Sequence, residues 1–351
     1  EIEKMSNLES SINGYPTNEV GTSGFAVSFN DIKEAYERIK PHIHKTPVLT
    51  CQSINEIAGK ELFFKCENFQ KVGAFKFRGA CNSVFKLSED DLKRGVTTHS
   101  SGNHGQALAL AARMRNTTAY VVVPKNAPKI KLDAIIGYGA NVHLCEPTLQ
   151  ARESGVEALI AQHGCKMIHP FDNADVIAGQ GTVAIELLSQ VENLDAIIVP
   201  IGGGGVMSGV TIAAKTINPD IKIIGAEPLG ADDAFRSFEK GVKLPHRDNN
   251  PNTIADGLLT TVGDLTFPII KSHVHSIITV DDNEIKAAMK LVWDRMKIII
   301  EPSSATVLAV VLSEKFKEKY GNDGKVKRIG LVITGGNVDL EKCLSFLTSP
   351  S

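Results

Sequence analysis

The sequence predicts an α/β fold on a parallel sheet, and three observations carry that prediction. From about Gly95, short apolar runs alternate with segments of helical spacing, the pattern of strands covered by helices on both faces. Four consecutive glycines, Gly202, Gly203, Gly204 and Gly205, separate an apolar run from a helical stretch. Near the end, Arg328 to Thr334 reads as a buried strand closed by Gly335-Gly336-Asn337. With 351 residues, 42% hydrophobic and 22% charged, the chain is long enough for about two domains of ordinary globular composition.

Taken in order, residues 1–27 are rich in Ser, Asn, Gly and Thr without periodic hydrophobicity, so a flexible tail is expected. Ser28 to Asp31 caps a helix running through Ile32, Ala35, Tyr36 and Ile39, which Pro41 helps to end. Thr46 to Thr50 is extended. Glu61 to Glu67 reads as a strand leading into Val72–Ala80, and Arg78 to Leu87 as a helix leaving it. Strands follow at Val96–His99, Ala119–Val123 and Asn141–Leu144, with helices at Gln106–Arg115, Pro128–Tyr138 and Leu149–Gln162. The second set has helices at Gly179–Gln190, Val206–Thr216, Asp281–Arg295 and Ser303–Tyr320, and strands at Ala196–Ile201 and Lys222–Ala226. The stretch from there to about Asp256 reads as irregular.

Composition excludes several partners. A formal net charge of -2 gives no electrostatic case for nucleic acid or an anionic membrane. The six cysteines lack CxxC or Cys/His ligand spacing and read as reduced thiols, which points to the cytoplasm. No signal or arginine-rich transit pattern opens the sequence. The uncharged run Ala196–Ala214 contains four glycines and Pro200, which makes it a strand-turn-helix rather than a membrane span.

The chemistry centres on Lys76, set between Phe75 and Phe77. Taken alone, it reads as a lysine whose stem packs while its head reaches water. Its company changes that reading, because a desolvated amine loses its proton more easily and can then attack a carbonyl. The four glycines at a strand-to-helix turn let backbone N–H groups approach an anion such as a phosphate; the register fits neither a dinucleotide fingerprint nor a Walker loop. Ser100-Ser101-Gly102-Asn103-His104-Gly105 forms a second polar turn of this kind.

A lysine, a phosphate loop and polar turns suit pyridoxal 5′-phosphate, and the sequence resembles the fold-type II enzymes that use it, with the two α/β domains of the tryptophan synthase β-like fold. Within them it is similar to the serine racemase and serine/threonine dehydratase group. The motifs Gly-Ala-Phe-Lys-Phe-Arg-Gly-Ala, Ser-Ser-Gly-Asn-His-Gly-Gln, Ile-Ala-Gly-Gln-Gly-Thr, Gly-Gly-Gly-Gly, Ala-Glu-Pro and Thr-Gly-Gly-Asn-Val-Asp occur in that order over about residues 28–345. The resemblance implies that Lys76 holds the cofactor aldehyde, Phe75 packs on its ring, Asn103 meets the ring hydroxyl and Thr334 the ring nitrogen. It implies that Gly202 to Gly205 with the Val206 amide hold the phosphate. Lys76 and Ser101 become proton carriers on opposite faces of the substrate, while Ser100, Ser101, Asn103, His104 and Arg152 meet it.

The resemblance also implies a divalent cation, Mg²⁺, Ca²⁺ or Mn²⁺, at Glu227, the Ala231 carbonyl and Asp233; without the family pattern these residues read as an acidic solvated loop. Gln106, Tyr138, Lys297 and Asn337 match positions around the ATP activator site of animal relatives, whereas Cys51, Gln52 and Ser53 depart from it. A large domain (28–90 and 171–345), a small mobile domain (91–170), a C-terminal tail (346–351), a homodimer and an amino acid substrate are expected. Three rival expectations are a dedicated dehydratase for serine, threonine or 3-hydroxyaspartate, an aspartate racemase, and a non-catalytic PLP- or nucleotide-binding regulator. Phe171 to Ala174 lacks the serine run of the aspartate-racemising relatives, which ranks that rival lower.

Overall fold

The structure, a computed structural model, describes residues 24–247, 251–321 and 324–348. Helix α1 (Phe29–Ile39) buries Phe29, Ile32, Ala35, Tyr36 and Ile39 along one face, and Ser28 and Asp31 close a capping box at its start. The tail expected over 1–27 falls mostly on 1–23, outside the described residues. Val27 is buried and the Phe25 ring meets His273 edge-on at 5.3 Å, so packing begins before Ser28. At the other end, residues 346–348 belong to a helix rather than a tail, and 349–351 lie outside the described residues.

The elements continue with β1 (Val48–Leu49), α2 (Gln52–Ala58), β2 (Glu61–Cys66), α3 (Lys76–Phe85), α4 (Glu89–Arg94), β3 (Val96–His99) and α5 (Asn103–Met114). Then come β4 (Ala119–Pro124), α6 (Lys129–Gly137), β5 (Asn141–Cys145), α7 (Leu149–His163), β6 (Lys166–Met167), α8 (Ala174–Gln190), β7 (Ala196–Pro200) and α9 (Gly205–Ile217). The remainder is β8 (Lys222–Pro228), α10 (Asp233–Lys240), α11 (Thr266–His273), β9 (Ser276–Val280), α12 (Asp282–Met296), α13 (Pro302–Leu312), α14 (Glu314–Tyr320), β10 (Arg328–Ile333) and α15 (Leu340–Thr348).

Two sheets result. The larger has the order β1-β2-β10-β7-β8-β9, parallel except for β1 against β2; the smaller, β5-β4-β3-β6, is parallel throughout and lies within residues 96–167. Strand alternation divides the large core. Ile197 and Val199 of β7 face α1, α8 and α9, while Ala196 and Ile198 face α12, α13 and α14. Helix α3 packs its Phe77, Ala80, Cys81 and Val84 with Ala107, Leu108 and Ala111 of α5, which ties it to the small sheet.

Helix α8 lies between α3 and α9 at backbone-contact distance. A Cβ on Gly179 would stand 2.6 Å from the Arg78 carbonyl oxygen, and one on Gly209 would stand 2.4 Å from that of Ile177. Glycine permits those crossings.

Several elements differ from expectation. Lys76 opens a helix instead of closing a strand, because after β2 the chain makes two short 3-10 turns and then pairs Ala74 with Gly335. The long helix expected over 303–320 breaks at Ser313, whose hydroxyl accepts the Phe316 amide and restarts it as α14. Helix α8 begins at Ala174, five positions before Gly179, with Asn173 as its cap. The irregular stretch contains α10, and α2, α4, α11, β6 and β9 were not foreseen.

Candidate active site

The C-terminal ends of β10, β7 and β3 lead into the segments that carry chemical residues, and such ends are where open α/β sheets bind ligands. Beyond β10, the Phe75 amide donates to the Thr334 carbonyl at 2.9 Å, so the residue before Lys76 is held against the sheet edge. Lys76 then stands in the first turn of α3, half-buried, its Nζ 2.8 Å from the Pro170 carbonyl oxygen and 5.1 Å from the Phe75 ring centre. Burial lowers its pKa to about 8, with the Glu301 carboxyl pulling the other way. A helix N-terminus disfavours a cation as well.

The glycine turn forms as expected. Gly204, at φ 85°, caps α9 without a side-chain acceptor, and no amide of Gly202, Gly203 or Gly204 donates to another described residue. Side chains have no room here: a Cβ on Gly203 would lie 2.2 Å from the Phe171 ring, and one on Gly204 2.8 Å from Thr266 Oγ1. Thr266 Oγ1 donates to the Gly203 carbonyl at 2.8 Å, fixing the loop from behind. Pro170 accepts from the amine while Phe171 packs on the loop, so two adjacent residues connect the two features.

Helix α5 begins at Asn103, with the Gly102 amide on Ser100 Oγ at 3.3 Å. Ser101 is half-buried, and its hydroxyl has no hydrogen bond to another described residue. Asn103 Nδ2 lies 3.2 and 3.1 Å from the two carboxyl oxygens of Glu301, and its Oδ1 accepts from Asn337 Nδ2 at 2.9 Å. His104 follows in the first turn of the same helix. Its imidazole is buried, Nε2 bonds the Ile168 carbonyl at 3.0 Å and Nδ1 has no partner. Burial, and then the nearby Lys76, hold its pKa down at about 3. The ring is therefore neutral near pH 7 and committed through Nε2 to that carbonyl, while the backbone amide lies in the first helical turn, where free N–H groups suit an anion.

Glu301 was not singled out from the sequence. It caps α13, and burial pushes its carboxyl up to about 7. A Cβ on Gly335 would come 2.9 Å from its Oε1, so that glycine makes room for the carboxyl. Ile299-Ile300-Glu301-Pro302 carries a helix-start signal and nothing that marks a buried acid. Thr334 is buried beside the Ser304 hydroxyl at 2.9 Å.

A second buried group missed from the sequence lies two residues beyond Lys76. Arg78 grips Glu67 through Nε and Nη2 at 2.7 and 2.8 Å and Glu186 through Nη1 and Nη2 at 2.9 and 2.8 Å. Lys65 adds a third ion pair, to Glu186 at 2.6 Å. Two cations face two carboxylates, and all four side chains are buried.

Other predicted residues are brought together only in part. Glu227 accepts the amides of Ala234 and Phe235 at 2.8 Å each, and Asp233 accepts that of Val262 at 3.0 Å. Both are buried; burial first and then Asp233 raise Glu227 well above the carboxylate range, and burial raises Asp233 to about 6. Among the described residues no three His, Cys, Asp or Glu side chains converge on a metal position, so the predicted set offers two carboxylates and a carbonyl. Arg152 rests on the Thr148 carbonyl of its own helix. Gln106 and Asn337 line one cavity of about 400 Å³, which Tyr138 and Lys297 do not; Arg113 stacks on Tyr138, and Lys297 bonds the Asp294 carbonyl.

An amine below its usual pKa, a cradle of unpartnered amides at a helix start and a buried hydroxyl beyond β10 fit an aldehyde that carries a phosphate and a ring nitrogen. Residues 39–335 match the family described as pyridoxal-phosphate dependent enzyme. The chain is 61% identical over 321 residues to a serine racemase of Dictyostelium discoideum, covering 92% of this chain and 98% of that one. The crystal structure of serine racemase from that organism superposes with a TM-score of 0.85, covering 90% of this chain and 99% of the other at 61% identity. A beta-hydroxyaspartate dehydratase of Paracoccus denitrificans is 47% identical over 315 residues, covering 90% and 98%. Among the described residues no helix is long and apolar enough to cross a membrane.

Proposed function

Since the chain belongs to the pyridoxal-phosphate-dependent enzymes and, within them, to the serine racemase family, we propose that it interconverts L- and D-serine and also converts serine to pyruvate and ammonia. The observation that carries this reading is the Lys76 amine, poised near neutrality beside an anion cradle, with the unpartnered Ser101 hydroxyl at the start of a neighbouring helix.

Bound through its aldehyde, the cofactor draws electrons from the substrate's α-carbon and so makes its proton removable. Gly202 to Gly205 and the Val206 amide hold the phosphate, Phe75 packs on the ring, Asn103 Nδ2 meets the ring oxygen and Thr334 the ring nitrogen. Ser100 and the amides of Asn103 and His104 orient the substrate carboxylate, and Arg152 reaches it when the small domain (91–170) closes on the large one (28–90 and 171–345). Lys76 Nζ would take the α-proton on one face, and Ser101 Oγ would return a proton on the other. Departure of the β-hydroxyl as water, protonated as it leaves, would replace reprotonation of the α-carbon, and addition of a water to the dehydrated product would then release pyruvate and ammonia. The high-identity dehydratase relative supports that second route.

We further propose that Glu227, the Ala231 carbonyl and Asp233 bind Mg²⁺ or a similar hard cation, which relieves two buried carboxyls of their mutual repulsion. ATP activation around Gln106 and Asn337, a homodimer and a cytoplasmic location complete the reading, the last supported by six unpaired cysteines.

The test is to incubate the purified protein with the cofactor, Mg²⁺ and L-serine, following D-serine by chiral chromatography and pyruvate by a coupled assay. D-serine above the no-enzyme control is expected; pyruvate alone would make the chain a dehydratase. Ser101→Ala should lower racemisation by about 10²- to 10⁴-fold while sparing much of the elimination. Equal loss of both activities would remove Ser101 from the role.

A further inference from the structure

An amide side chain can face either way, and which end of Asn103 looks into the cleft decides what it can do there. The polarity is settled one residue at a time. The Val72 carbonyl can only accept, so the end of Asn337 that reaches it at 2.7 Å is the donating Nδ2. The second hydrogen of that Nδ2 goes to Asn103 at 2.9 Å, which must therefore offer its oxygen. Asn103 Nδ2 is then left to face the Glu301 carboxyl, with one hydrogen for Glu301 and one to spare.

Val72 reinforces the direction. It is a buried β-branched residue at φ 57°, a left-handed conformation that such residues rarely adopt. Backbone held there persists where its surroundings over-determine it, and the conformation coincides with a carbonyl presented to Asn337.

We propose that Asn337 and Glu301 are positioning residues that hold the Asn103 amide in one orientation, with Nδ2 and not Oδ1 turned to the cleft. The inference rests on the reading that Asn103 meets the cofactor's ring oxygen. With Nδ2 outward, Asn103 donates to that oxygen; with the amide reversed, its Nδ2 would face the Asn337 Nδ2 that Val72 holds in place, two donors with no acceptor between them.

The experiment compares parent, Asn103→Ala, Asn337→Asp and the double variant, measuring cofactor dissociation by equilibrium dialysis and the absorption spectrum of the bound cofactor. Aspartate has the shape of asparagine without its hydrogens. Asn337→Asp should weaken retention about 3- to 10-fold and move the absorption maximum as Asn103→Ala does, and the double variant should be no worse than Asn103→Ala. Glu301→Gln, which keeps an accepting oxygen, should stay nearer the parent spectrum than Glu301→Ala. If thermal melts show Asn337→Asp unfolded, Asn337→Ala takes its place. Additive losses, or a position-337 variant with the parent's spectrum, would overturn the proposal and leave Asn103's own contact standing. An unchanged Asn103→Ala would sink that contact, and the proposal with it.

Discussion

Lys65 and Lys76 are both drawn out of water, and they end in opposite company. Burial lowers the pKa of each. Lys65 is wholly buried but answered on every side, by Glu186 at 2.6 Å, the Thr46 carbonyl at 2.9 Å and Gln190 Oε1 at 2.9 Å. Lys76 has one carbonyl partner and a carboxyl that touches Asn103 instead of the amine. Burial alone therefore does not make a reactive lysine; burial with the countercharge withheld does. Glu186 shows the reverse side: burial acts to raise its pKa, but Arg78 and Lys65 outweigh it and leave it below the usual range.

The sharpest way to break this contrast is Lys76→Ala, which should remove turnover by about 10⁴-fold or more while leaving the thermal melt intact. A melt that collapses would make Lys76 structural like Lys65. Next, Arg78→Met should destabilise the protein by roughly 3–5 kcal/mol in denaturant titration, because it leaves Glu67 and Glu186 buried with one cation between them. Lys65→Met is milder, roughly 1–3 kcal/mol, since Glu186 keeps both bonds to Arg78, and turnover per folded molecule should not change.

The remaining effect, spread over more than two pH units, is a pH dependence of the cofactor-free protein. Lys76 has a folded pKa of about 8 against the ordinary 10.5. Below pH 8 both states carry the proton, and the cost of burying it is fully present. Between 8 and 10.5 the folded state has lost a proton that the unfolded state keeps, so stability rises with pH by up to about 1.4 kcal/mol per unit. Lys76→Met should abolish that rise; identical slopes for parent and variant would mean that Lys76 titrates normally.

What the sequence disclosed was local. The apolar run before Gly202 and the helical spacing after Gly205 fix a strand-turn-helix without help from elsewhere, whereas Lys76 between two phenylalanines gained its chemical reading only from the glycine and polar turns that accompany it. Glu301 stayed hidden because its burial depends on Asn103 and Gly335 arriving from distant parts of the chain. The Arg78 cluster assembles from β2, α3 and α8, and no spacing within one segment announces it. The ring bond of His104 was not legible, because a polar residue in a ligand turn looks the same in sequence whether its ring faces the cleft or, as here, the Ile168 carbonyl. Ser313 reads as one polar letter in a helical run, and only its cap on Phe316 shows the break.

The crossings of α8 with α3 and α9 have a mechanical consequence. The amine rides on the first of those outer helices and the amide cradle on the second, and at the glycine crossings each meets α8 main chain to main chain, with side-chain packing along the rest of each interface. Side-chain layers yield, because rotamers can shift to absorb a change in volume, whereas touching main chains have nothing to rearrange. The three helices act as stacked gauge blocks, so the span from Lys76 to Gly205 has the stiffness of solid contact. Heating or compression that loosens the rest of the core would leave that calibration in place until α8 itself unfolds.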